Sequence, residues 1–139
     1  TAHIKFLKYV IVHDCGTIIN PLIVDGQVYG ATAQGIGGTI YEHLMFDDNG
    51  QPLATTFMDY LLPTVHDMPK LELHHIETPS PHTGLGIKGV GESGTVFAPT
   101  AIATGVGDAL GVSADRLELN PSAVFDLLQS SGNGSARGA

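Results

Sequence analysis

The segment Gly84-Leu85-Gly86-Ile87-Lys88-Gly89-Val90-Gly91-Glu92-Ser93-Gly94 sets five glycines around one lysine and one glutamate. Glycines leave backbone N–H groups open to an anion, and a helix N-terminus just beyond them adds positive potential. A carboxylate held in such a frame and drawn out of water has its neutral form favoured, which suits a proton-transferring group. Glu92 is the candidate. The plainer alternative is a tight turn in which Glu92 is a first-turn helix acid steadied by the macrodipole, a common arrangement.

Other chemistries fit the same residues less well. Gly84 to Gly89 matches G-x-G-x-x-G, but Thr78 to Thr83 before it does not read as a strand, which a dinucleotide fingerprint needs. A phosphate-binding P-loop needs Ser or Thr after its lysine, and Lys88 is followed by Gly89. Gly91-Glu92-Ser93-Gly94-Thr95 is close to an esterase nucleophile elbow, with Thr95 where the second glycine belongs. The last histidine, His82, lies upstream of Ser93, the wrong order for that hydrolase triad. Glu72, His74, His75 and Glu77 lie close together, but strand alternation sends His74 and His75 to opposite faces. His13, His43, His66 and His82 show no ligand spacing. Cys15 reads as a buried packing thiol.

These residues must be positioned by a mixed set of elements. Lys8 to Asp14 is β-branched and aromatic and reads as a buried strand. Asn20-Pro21 is a capping residue followed by a first-turn proline, opening a helix to about His43. Its apolar positions are Val24, Val28, Ala31, Ile36 and Ile40, and it keeps Gly26, Gly30, Gly35, Gly37 and Gly38. Each of those glycines weakens a helix by about 1 kcal/mol relative to Ala. They imply that a ligand or another backbone lies close, ordinary helix packing included. Asp47-Asp48-Asn49-Gly50 marks a β-hairpin or a helix-to-strand turn. Lys70 to Glu77 reads as a second strand, and Thr78 to Gly94 as a long loop shaped by tertiary contacts. Thr95 to Leu110 reads as a buried helix with Pro99 in its first turns and Gly111 as its stop. Asn120-Pro121 repeats the helix start, a last helix covers Ala123 to Gln129, and 130–139 forms a flexible tail.

Composition bounds the function. The 139 residues are about one domain, 42% hydrophobic and 14% charged, too apolar for a highly charged disordered chain. A net charge of −8 argues against a nucleic-acid clamp. One cysteine excludes an intrachain disulfide framework and a four-cysteine cluster. Apolar runs such as Tyr9 to Val12 are too short for a membrane span. The chain opens at Thr1 without the apolar run of a signal peptide, and reads as a fragment, a domain or a processed product.

An ordered set of motifs carries a resemblance. Asp14-Cys15-Gly16, Ile19-Asn20-Pro21, Gly26-Gln27-Val28, Gln34-Gly35-Ile36-Gly37, Phe57-Met58-Asp59-Tyr60 and Lys88-Gly89-Val90-Gly91-Glu92 follow one another from about Tyr9 to Leu128. Together they resemble the C-terminal part of the molybdenum-binding large subunit of the xanthine dehydrogenase family. That family includes aldehyde oxidoreductases and aerobic carbon monoxide dehydrogenase. The resemblance implies an α+β fold, a fragment of the molybdopterin-binding domain with mixed strands and Gly-rich buried helices, over 1–129. It implies oxidation of a small organic substrate (an aldehyde, an N-heterocycle or a CO-like molecule) with water-derived oxygen. Glu92 would be the general base beside molybdenum, and Gln27 would hydrogen-bond the pterin. Gln34 would support it, Gly89, Val90, Gly91 and Ser93 would donate to the cofactor, and Lys88 would offset phosphate charge.

The cofactor implied is molybdopterin in its cytosine dinucleotide form, the metal being held by the pterin and by no residue of this chain. The partners implied are the rest of the molybdenum subunit, an iron–sulfur subunit and an FAD subunit, in a cytoplasmic or periplasmic enzyme. Upstream segments of the family's site, and the copper-binding cysteine loop of its carbon monoxide enzymes, have no counterpart here, so the chain alone is expected to be inactive. The rival expectation is a non-catalytic, truncated or split subunit that serves as a binding or assembly module.

Overall fold

β-Branched and aromatic residues Tyr9–His13 form strand β1, and Leu71–His75 forms β2. The two pair in parallel, with Tyr9 opposite Leu71 and His13 opposite His75. A parallel pair needs a long crossover, and here that connection contains helix α1, Pro21–Ile40. The computed structural model describes residues 2–134.

Asn20 starts α1 as its sequence suggests: its side chain accepts from the Ile23 N–H (3.3 Å) and Pro21 takes the first turn. Val24, Val28, Ala31, Ile36 and Ile40 are all buried. Helix α2, Ser93–Leu110, begins two residues before the expected Thr95, and Gly111 closes it in the left-handed conformation (φ 66°). Helix α3, Pro121–Gly134, is opened by Asn120, whose side chain accepts from the Ala123 N–H (3.0 Å).

Helix α3 carries on through 130–134, because nothing in Ser130-Ser131 forbids helix and the Ser130 hydroxyl donates back to the Leu127 carbonyl (2.8 Å). Positions 135–139 lie outside the described residues. Of the two readings around Gly50, the hairpin holds in miniature: Phe46 bridges Pro52 antiparallel, and Gly50 supplies φ 80°.

The core joins the three helices through Ile36, Ile40, Ile102, Val106, Val124 and Leu127, with Leu119 fully buried beneath them. α1 and α2 cross closely because two glycines allow it. A Cβ on Gly35 would stand 2.6 Å from the Ala98 Cβ, and one on Gly94 would stand 2.6 Å from the Thr32 hydroxyl. The Thr95 hydroxyl donates to the Ala31 carbonyl (2.8 Å) across the same contact. The fold is α+β. Among the described residues, no helix is long and apolar enough to cross a membrane.

Candidate functional site

The loop from 76 to 92 has no repeating structure beyond one 3-10 turn at Gly84–Gly86, so its shape depends on what it touches. It is tied to the end of β1. The Lys88 N–H donates to the Cys15 carbonyl (2.8 Å), the Thr17 N–H donates to the Gly86 carbonyl (3.3 Å), and Gly16 bridges Ile87 antiparallel. Gly16 (φ 68°) has no room for a side chain there, since its Cβ would fall 2.2 Å from the Gly86 carbonyl oxygen. Cys15 is buried at this junction, as a packing thiol should be.

Asp14 organises the junction. Its carboxylate accepts from the Gly16 N–H (2.8 Å), the Thr78 N–H (3.2 Å), the Thr78 hydroxyl and the Lys88 ammonium (3.1 Å). The Lys88 ammonium also donates to the Thr78 hydroxyl oxygen (2.5 Å). The Thr78 hydroxyl, then the Gly16 N–H and more weakly Lys88, hold the Asp14 carboxyl far below the usual carboxylate range. Lys88, which the sequence reading aims at a cofactor phosphate, is exposed and within this chain pairs with Asp14.

Beyond Lys88 the chain is open. Neither Gly89 nor Gly91 has any atom within 4 Å of a would-be Cβ. Among the described residues, no turn or loop hydrogen bond uses the N–H of Gly89, Val90 or Gly91. Glu92 caps α2 in sequence position but not in bonding, for its side chain makes no cap hydrogen bond. It is exposed, so this chain does not supply the desolvation expected of it. The Ser93 hydroxyl donates to the Val90 carbonyl (3.3 Å) and steadies the turn.

Gly94 packs on Val28 and Thr32, which sets the Glu92 turn against the part of α1 that carries Gln27. The outward face of α1 is lined by Gly26, Gln27, Gly30 and Gln34, all exposed. No atom comes within 4 Å of a Cβ on Gly26 or Gly30. A separate groove of about 1200 Å³ runs between residues 2–14 and α2; Gly89, Ser93 and Gly94 line it, but Gln27 and Glu92 do not.

Sequence reasoning missed a second cluster. His13 and His75 meet edge to face with ring centroids 6.0 Å apart, and His75 Nε2 lies 2.8 Å from an Asp25 carboxylate oxygen. Nδ1 of both rings is buried without a hydrogen-bond partner. Strand alternation does separate the neighbours on β2: His74 is exposed, whereas His75 turns inward. The only signal was that both strands end in histidine.

Comparison with known proteins now decides the family. Residues 1–69 match the family description "Molybdopterin cofactor-binding domain". The nicotine 6-hydroxylase large subunit of Paenarthrobacter nicotinovorans is 48% identical over 110 residues, 79% of this chain and 14% of that protein. Quinoline 2-oxidoreductase of Pseudomonas putida 86 superposes with a TM-score of 0.80 at 45% identity, covering 86% of this chain and 16% of that one. The Cu,Mo-CO dehydrogenase structure gives 0.85 at 33% identity, covering 95% and 17%. The chain belongs to the xanthine dehydrogenase family of molybdenum-binding subunits. It spans about one sixth of the length of these relatives.

A molybdopterin of that family would find a suitable surface on two counts. The bare glycine backbones at Gly26, Gly30, Gly89 and Gly91 leave space that a Cβ would fill. Gln27 and Gln34 are exposed carboxamides on α1, and among the described residues the loop N–H groups of Gly89, Val90 and Gly91 make no hydrogen bond. That is a neutral donor and acceptor set suited to a pterin edge and its phosphate.

Proposed function

We propose that this chain forms one wall of the molybdopterin site in a molybdenum hydroxylase, with Glu92 as its general base. The observation that carries the reading is the state of Glu92: an exposed carboxylate at the head of α2, on a turn whose backbone is unobstructed, with no partner among the described residues. A carboxylate without a competing partner keeps its lone pairs open to a proton from a reacting group, and the dry surroundings that raise its basicity would come from what packs over it.

Gln27 and Gln34 would hold the pterin edge by their carboxamides, while the N–H groups of Gly89, Val90 and Gly91 and the Ser93 hydroxyl would orient the cofactor beside Glu92. The cofactor, molybdopterin in its cytosine dinucleotide form, supplies two-electron redox chemistry when bound. Iron–sulfur and FAD centres on companion subunits would carry the electrons away. N-heterocycles suit the substrate role best, because the relatives at 48% and 45% identity are named for nicotine and quinoline.

The test is Glu92→Gln in the complete enzyme. Turnover should fall by about 10²–10⁴-fold, the usual worth of a positioned base, while molybdenum content stays full; unchanged turnover would remove the assignment. The rival, a non-catalytic assembly module, gains support from the many exposed apolar side chains, which call for a partner surface. It predicts that Glu92→Gln leaves turnover untouched.

A further inference from the structure

We infer that Asp14, Thr78 and Lys88 form a positioning clasp that fixes the turn carrying Glu92, and that Lys88 acts through Asp14 and not on a bound phosphate. The inference rests on the reading of Glu92 as the base. Between Lys88 and Glu92 lie only Gly89, Val90 and Gly91. Two glycines in three residues leave that backbone little restraint of its own, so it must be held from its ends.

One end is the α1–α2 crossing, where Gly94 sits against Val28 and Thr32. The other is the clasp, which draws together three stretches of chain: the end of β1, the start of the long loop and the start of the turn. Lys88 and Asp14 are 74 positions apart and Thr78 and Asp14 are 64 apart, so the contact is purely tertiary. Thr78 is the bridge, donating its hydroxyl hydrogen to Asp14 while its oxygen accepts from Lys88. The Gly16 and Thr78 N–H groups fix the carboxylate in turn.

The pair is partly exposed, 37% for the Lys88 side chain and 29% for Asp14. Ion pairs at that exposure add little to global stability. Their loss should therefore loosen the turn before it unfolds the domain, and a loosened turn misplaces the base.

The experiment uses the complete enzyme with Lys88→Met, Asp14→Asn, the two combined, and Lys88→Arg. It reads molybdenum and pterin content, kcat and KM, and amide hydrogen exchange over 84–92. Each single loss should lower kcat by about 10- to 100-fold, the scale of a slightly misplaced catalytic group, with KM and cofactor content unchanged. The double variant should be no worse than the worse single, because both remove one contact. Lys88→Arg should recover most of the rate, and exchange over 84–92 should rise alike in the three disrupted variants.

Loss of cofactor in Lys88→Met with Asp14→Asn unaffected would overturn the inference and return Lys88 to the phosphate. Additive losses would overturn it too. Should Asp14→Asn fail to fold, Thr78→Val paired with Lys88→Met gives the same cycle through the bridging hydroxyl. An active Glu92→Gln enzyme alongside coupled exchange would sink the base and leave the clasp standing; an inactive one alongside uncoupled exchange would do the reverse.

Discussion

His13 ends β1 with its ring buried and Nδ1 unpaired, and burying a polar atom without a partner costs about 1–3 kcal/mol. Burial, then the neighbouring His75, push its pKa below 6.5, and Asp14 opposes them; Asp25 faces the pair through His75. The unfolded chain thus takes up this proton more readily than the folded one. Stability from this group is present above about pH 6.5 and is lost as pH falls through the folded value. Thermal denaturation of the protein from about pH 8 to about pH 5 should show that decline, and His13→Gln should flatten it. Equal slopes in the two proteins would count against the account. Little of this was legible in the sequence. Asp14-Cys15-Gly16 announces a local turn, but the partners of Asp14, His13 and Lys88 come from segments brought in by parallel pairing, which leaves no periodic trace.

At the scale of elements, α1 was readable because Asn20, Pro21 and five apolar positions agree on one helix and one face. Its glycines were not, because the same residue serves two purposes there. Gly35 is closed by α2, whereas Gly26 and Gly30 face open space. Substitution separates them. Gly94→Ala, on the α2 side of the crossing, would force its methyl group to within 2.8 Å of the Val28 carbonyl oxygen, and overpacking of this kind costs about 1–3 kcal/mol. Gly30→Ala meets nothing in this chain, so it should stabilise the helix by about 0.5–1 kcal/mol. If the open glycine face is the pterin's resting surface, that same Gly30→Ala must lower cofactor occupancy in the complete enzyme. Denaturant melts read the first two effects, and pterin released per subunit reads the third. A Gly30→Ala enzyme that is both firmer and fully loaded would move the cofactor off this face.

For the whole molecule, the exposed apolar surface sets the argument. Phe57 and Met58 are 82% and 86% exposed, Leu22 82% and Phe97 74%. Scattered apolar residues are ordinary, but so many large ones imply a covering surface. The sheet agrees: β1 and β2 make only a two-stranded parallel pair, and parallel sheets are normally buried on both faces. The relatives are about six times longer than the stretch they share with this chain, which supplies ample polypeptide for the covering. Glu92 belongs to the same account. Its helix-head position comes from this chain, but the dry surroundings a base needs must come from what packs over it. Hydroxyl-radical footprinting should therefore label Phe57, Met58 and Phe97 readily in the separately produced chain and protect them in the complete enzyme. Carbodiimide labelling of carboxyl groups should find Glu92 protected in the same comparison while Asp47 and Asp48 of the hairpin tip, whose hydrogen bonds are its own, label equally in both. Equal labelling of Glu92 and the hairpin tip in the complete enzyme would leave the carboxylate in bulk water, where it has no special capacity as a base.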